Sequence, residues 1–173
     1  MAKRNLETAS GEISSDSLCT PPEISLRLYE LWGRDPIGCD PCSNEHSIVR
    51  AKVSYPWGGL VKPWADHCYE NHPYSKNEPW IDKATAEMKA GRVHELVILC
   101  MTATSTAWWK TAMNKPRRNP RVICTKRIKF LGPGGKPLPH GARFDTSLIY
   151  YGRHTAKFDR LFARVAMWTT WGR

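Results

Sequence analysis

No stretch of the 173 residues approaches the ~20 consecutive apolar positions of a membrane-spanning helix, so none is expected. Residues 1–17 are polar and lack the apolar core of a secretory signal. That absence leads us to expect a cytoplasmic protein whose six cysteines stay reduced instead of forming a disulfide framework. Internal repeats and heptads are also missing, which excludes solenoid and coiled-coil architectures. Acidic side chains are scarce: 16 Asp and Glu stand against 26 Lys and Arg, a formal net charge of +10. Such an excess favours a polyanionic partner, because cations that meet phosphates release condensed counterions. What remains is ample for one domain with a real core. The hydrophobic fraction is an ordinary 41%, and there are eight tryptophans, side chains that serve both cores and base stacking.

Residues 1–18 read as a flexible polar tail and 19–173 as a single domain. Thr20 is placed to cap a helix that begins at Pro21, with Glu23 completing a capping box, an apolar stripe at Ile24, Leu28 and Leu31, and Gly33 as the stop. Strands are expected at 37–40, 67–71, 95–101, 121–125, 127–131 and 145–151, and helices at 46–53, 79–90, 104–114 and 156–168. Loops rich in Gly and Pro fill 55–64 and 132–141. Helices alternating with short buried strands predict an α/β fold, and the late strands joined by the 132–141 loop predict an antiparallel pair at its C-terminal edge. Ligands of such sheets bind beyond the carboxyl ends of the strands, where both Asp40 and Asn71 fall.

The most informative residues are Asn71, His72, Pro73 and Tyr74, directly after a strand-like segment. A polar amide, an extended proline turn and an exposed aromatic are what a site needs to hold a flat base carrying an amino group. Two other constellations compete. Cys39 and Cys42, with His46 and the later His67 and Cys68, offer a possible zinc ligand set, although the spacing is irregular and no metal is expected. Lys115, Arg117, Arg118, Arg121, Lys126, Arg127, Lys129 and Arg143 form basic, Pro- and Gly-broken loops suited to phosphate contact.

Taken in order, Thr20-Pro21-Pro22-Glu23, Asp40-Pro41-Cys42-Ser43-Asn44, Asn71-His72-Pro73-Tyr74-Ser75, Trp80-Ile81-Asp82-Lys83-Ala84 and Arg127-Ile128-Lys129-Phe130 resemble the phage-type DNA N6-adenine methyltransferases, the Dam family. The resemblance implies a Rossmann-like class I methyltransferase fold with a mixed sheet, S-adenosylmethionine as cofactor, duplex DNA as partner and adenine N6 as acceptor. It implies a phage or prophage setting, hence the cytoplasm of a bacterial host, and protection of DNA from restriction. Asn71, His72, Pro73 and Tyr74 take the catalytic turn, with the Asn71 side-chain oxygen and the His72 carbonyl as acceptors for the amino group and Tyr74 stacked on the flipped base. Thr20, Pro21, Asp40, Pro41, Cys42, Ser43 and Asn44 take the cofactor side, with Asp40 facing the cofactor's ammonium group and Asp66 a weaker candidate beside its adenine. Two departures stand out. No Gly-x-Gly follows the first strand, and His72 replaces the usual proline, which implies a less rigid turn. Cytosine N4 or RNA adenine as acceptor, or a non-catalytic, zinc-stabilised nucleic-acid-binding protein, are the alternative readings.

Overall fold

The computed structural model describes residues 14–116 and 120–170. A seven-stranded mixed sheet runs in the order β2-β1-β3-β4-β6-β5-β7. Its strands are β1 (Ile37–Asp40), β2 (Ala51–Ser54), β3 (Asp66–Glu70), β4 (Val93–Met101), β5 (Arg121–Thr125), β6 (Thr146–Tyr151) and β7 (Ala166–Thr170). The helices are α1 (Pro22–Trp32), α2 (Asn77–Lys89), α3 (Ala107–Asn114) and α4 (Thr155–Phe162). Strands β2, β1, β3 and β4 are mutually parallel, β6 is antiparallel to β4, and β5 is antiparallel to β6.

Both faces of the sheet are covered, as its parallel half, β2-β1-β3-β4, requires. The alternation along β4 shows it: Val97 and Leu99 enter one core with α1 and α4, whereas Leu96, Ile98 and Cys100 enter the other with α2 and α3. Helix α1 follows its apolar stripe, burying Ile24, Leu28 and Leu31, and Gly33 ends it in the left-handed region at φ 61°. Thr20 does not cap it. The N-cap position is Pro21, whose ring carries no polar atom to cap with, and the Thr20 hydroxyl turns inward to Tyr69 Oη at 2.8 Å.

Three expected elements differ. Residues 46–50 form no helix, because Asn44 Oδ1 and Ser47 Oγ accept the backbone N–H groups of His46 and Val49 and so compete with helical bonding. The chain then enters β2, a half-exposed edge strand beside β1. Residues 127–131 are not a strand; Leu131 makes only isolated bridges, to Cys19 and Pro137, and the antiparallel partner of β6 is β5. Helix α4 stops at Phe162, after Phe158 and Phe162 have filled the core, and the chain returns as β7 to complete the ladder of β5.

Strand β2 lies on one flank of β1 and β3 on the other, so the chain reverses its winding between β1 and β3. Such a switch point opens a crevice beyond the carboxyl ends of the two strands. Asp40 ends β1 and Asn71 follows β3, so both stand at that crevice. Asp66, at the opposite end of β3, does not; it bonds Arg34 and His67 instead.

Candidate active site

The turn after β3 is held from several directions. Asn71 Nδ2 donates to the Leu18 carbonyl at 3.0 Å and lies 3.4 Å from the Thr20 hydroxyl. A carbonyl can only accept, so this bond sets the amide orientation and leaves Oδ1 as the acceptor side. The Tyr74 hydroxyl donates to Oδ1 at 3.0 Å. Burial pushes the Tyr74 phenol well above its ordinary value, so it stays a neutral donor. One lone pair of Oδ1 remains for a further donor. Among the described residues no donor reaches the His72 carbonyl.

One expectation about this turn is corrected. Tyr74 is not an exposed stacking platform: it is 5% exposed, with its ring packed edge-on against Phe144 at 5.1 Å and Phe130 at 6.2 Å. His72, expected to make the turn less rigid than proline would, has partners on both ring nitrogens. Its side chain is fully buried, Nδ1 lies 2.6 Å from Glu70 Oε1, and Nε2 lies 2.9 Å from Asn77 Oδ1. Burial raises the Glu70 carboxyl above its ordinary value, and the His72 ring opposes that rise.

Residues 14–18, read from sequence as the end of a tail, lie on the same turn. Ser14 caps a short 3-10 turn, Ser15–Ser17, and Asp16 accepts from the Ser75 N–H at 2.9 Å and from its hydroxyl at 2.5 Å. Sequence reasoning missed Asp16, Leu18, Glu70 and Asn77. The available signals were a Ser-Asp pair before the helix, and polar side chains on either side of the Asn-His-Pro-Tyr turn.

The expected cofactor residues gather around that turn. Asp40 is 4% exposed; its Oδ1 accepts from the Cys42 N–H at 3.1 Å, and its Oδ2 lies 3.5 Å from the Ser47 hydroxyl. The acid therefore closes its own turn as well as ending β1. Asn44 reaches Cys19 Sγ at 3.3 to 3.4 Å, which draws the Asp40 turn against Cys19 and Thr20. Cys42 and Ser43 are buried beside it. Gly59 packs so tightly on this turn that a Cβ there would stand 2.0 Å from the Pro41 carbonyl oxygen. All six cysteines are buried and none forms a disulfide. Cys39 is paired in register with Cys68, and among the described residues no group of three or more His, Cys, Asp or Glu could hold a metal ion.

The basic residues divide between the two ends of the sheet. Strand β5 runs in the direction of β4, so its carboxyl end and residues 126–131 lie at the rim that carries Asp40 and Asn71. Lys126, Arg127 and Lys129 are exposed there and line a groove of about 420 Å³ with Pro21, Glu23 and Arg164. Backbone bonds of 2.9 Å between Leu131 and Cys19 tie this segment to the site. Arg143 is also exposed, in the loop that enters β6 at the same rim. Two of the expected DNA contacts, Lys115 and Arg121, do not share this position. Lys115 and Arg121 flank the amino end of β5, on the far side of the sheet, and Arg121 is paired with Asp159 at 2.5 Å. Arg117 and Arg118 lie outside the described residues.

Among the described residues no helix is long and apolar enough to cross a membrane. No curated protein matches the sequence. The family model described as DNA N-6-adenine-methyltransferase (Dam) matches residues 11–165, a span that contains every element of the site. The chain belongs to that family and is a DNA N6-adenine methyltransferase.

Proposed function

We propose that the enzyme is a Rossmann-like class I methyltransferase that uses S-adenosylmethionine, and that residues 71–74 are its catalytic turn. The observation that carries this reading is the Asn71 amide, oriented by the Leu18 carbonyl and the Tyr74 hydroxyl at the switch point of the sheet. Adenine N6 is a poor nucleophile because its lone pair is delocalised into the ring. Two acceptors on its hydrogens draw the nitrogen toward a tetrahedral shape and free the lone pair. Asn71 Oδ1 and the His72 carbonyl are those acceptors, and catalysis is mainly positioning. Tyr74 serves by fixing Asn71, since its ring is occupied by Phe130 and Phe144.

The donor set at the crevice fits the methionine end of the cofactor. Asp40 offers a carboxylate to an ammonium group, and Asn44 a polar side chain beside it; Pro41, Cys42, Ser43 and Pro21 form the wall, with Thr20 holding it through its inward bond to Tyr69. When bound, S-adenosylmethionine supplies a methyl group activated on a sulfonium. The resemblance supports a phage or prophage setting, the cytoplasm of a bacterial host and a part in shielding DNA from restriction.

The test is incubation with unmethylated duplex DNA and methyl-labelled S-adenosylmethionine, followed by digestion to nucleosides. Label is expected on N6-methyl-2′-deoxyadenosine. The absence both of label and of a cofactor-dependent rise in Tm would overturn the cofactor assignment.

Duplex DNA is expected to lie along the 126–131 rim. Replacing Lys126, Arg127 and Lys129 together by alanine should lower DNA affinity and flatten log Kd against log salt by about 2 to 3. Replacing Lys115, at the other end of the sheet, should leave that slope unchanged. Fluorescence anisotropy over a salt series reads both, and equal slopes for all three proteins would remove this face from the interface.

A further inference from the structure

We propose that the buried side chain of His72 is a positioning residue that clamps the catalytic turn through Glu70 and Asn77, replacing the restriction that proline would impose at that position. The proposal rests on residues 71–74 being the acceptor site. Glu70 ends β3, and Asn77 begins α2, so the imidazole joins the two elements that flank the turn. Asn77 Nδ2 then donates to the Tyr74 carbonyl at 2.7 Å, closing the chain back onto the turn. The ring also stacks on Trp80 of α2, with centroids 6.3 Å apart and planes 9° from parallel.

The hydrogen-bond logic fixes the ring. Because Asn77 Nδ2 is committed to a carbonyl, its Oδ1 faces Nε2, and Nε2 must carry a hydrogen. Nδ1 and Glu70 Oε1 then share one proton, in either an imidazolium–carboxylate or an imidazole–carboxylic acid arrangement, and both keep the bond. Proline at 72 would restrict the backbone directly by fixing φ. Here the same atoms are held from the side chain, while the carbonyl that serves as acceptor is left untouched.

Stability alone does not account for the arrangement. A buried ion pair is often matched or bettered by apolar residues of similar volume. Among the described residues Glu70 Oε2 is buried with no hydrogen-bond partner, an expense that a purely structural pair would avoid. That cost sits beside the acceptor atoms, where geometry governs rate: a misplacement of about 1 Å can cost 10²-fold.

His72→Ala alone would strand a buried carboxylate, so the test works in a Glu70→Leu background. Glu70→Leu/His72→Pro is expected to fold and to turn over about 10- to 10²-fold faster than Glu70→Leu/His72→Ala, because proline restores the backbone restriction. Glu70→Leu/His72→Ala is expected to fold equally well, to keep its KM for cofactor and DNA, and to lose kcat by about 10- to 10²-fold. Asn77→Ala, which cuts the link without stranding a charge, is expected to lower kcat in the same way. Equal turnover in the two double variants, or parental kcat in Asn77→Ala, would overturn the proposal. Asn71→Ala is run beside them. If it keeps methyl transfer, the acceptor site itself has been misassigned; if it is inactive while the Ala and Pro variants match, only the clamp fails.

Discussion

Asn71→Ala is expected to lower methyl transfer by about 10²- to 10³-fold, the cost of deleting one preorganised partner of the reacting group. Cofactor affinity should stay near the parental value, because Asp40 and Asn44 are held by bonds that do not involve Asn71, and Thr20, which loses its contact with the amide nitrogen, keeps its bond to Tyr69. The variant should also lose some stability, since the buried Tyr74 hydroxyl and the Leu18 carbonyl each lose a partner. An unsatisfied buried group costs roughly 1–3 kcal/mol. Asn71→Asp separates the two effects. It keeps an acceptor for the Tyr74 hydroxyl and for adenine, but sets an oxygen against the Leu18 carbonyl, so its activity should fall between parent and alanine. Single-turnover methylation, cofactor titration and thermal melting read the three quantities. Parental transfer rates in Asn71→Ala would remove this residue from the chemistry.

The parts legible in the sequence were those set by local rules. Strands β1 and β5 fall on the expected residues because short apolar runs end at Asp40 and, at the other strand, begin at Arg121. Gly33 ends α1 because a left-handed residue is needed there. The turn at 71–74, the proposed catalytic turn, was visible because its residues are consecutive. What stayed hidden depends on contacts between distant residues. Tyr74 looked exposed because Phe130 and Phe144, which cover it, lie more than fifty residues downstream. Thr20 looked like a helix cap because its true partner, Tyr69, belongs to β3. Lys115 and Arg121 read as DNA contacts because charge carries no direction; the strand directions through β4, β6 and β5 put these two residues at the end of the sheet opposite Asp40 and Asn71. The partners of the His72 ring, Glu70 and Asn77, stayed hidden because they are side-chain geometry with no motif of its own.

Acid is expected to weaken the fold through Glu87, and to loosen the cofactor turn as it does so. Glu87 is 1% exposed and accepts from Lys83 Nζ at 2.5 Å, from Arg92 Nε at 2.5 Å and from the Trp64 N–H at 3.1 Å. Burial alone would raise its carboxyl, but the bonds from Arg92, Lys83 and Trp64 outweigh it and hold the group at about 2, against an ordinary 4.5. A depressed carboxyl stabilises the fold fully above its unfolded value. That contribution falls away as pH drops from about 4.5 through about 2, and its full size is about 3 kcal/mol. Glu87→Gln keeps the shape and removes the charge, leaving two cations without their anion. It should lower Tm at neutral pH by roughly 6–12 °C for a domain of this size. The gap between parent and variant should narrow as pH falls through that window. The consequence for function follows from the packing: Trp64 Nε1 donates to the Gly59 carbonyl at 2.7 Å, and Gly59 is pressed onto the Pro41 carbonyl beside Asp40. Glu87→Gln should therefore weaken cofactor binding at neutral pH without touching Asn71. Melting curves from pH 7 to 2, paired with cofactor titration at pH 7, check both halves. A Tm gap that stays constant across the window would show that the charge on Glu87 does not supply this stability.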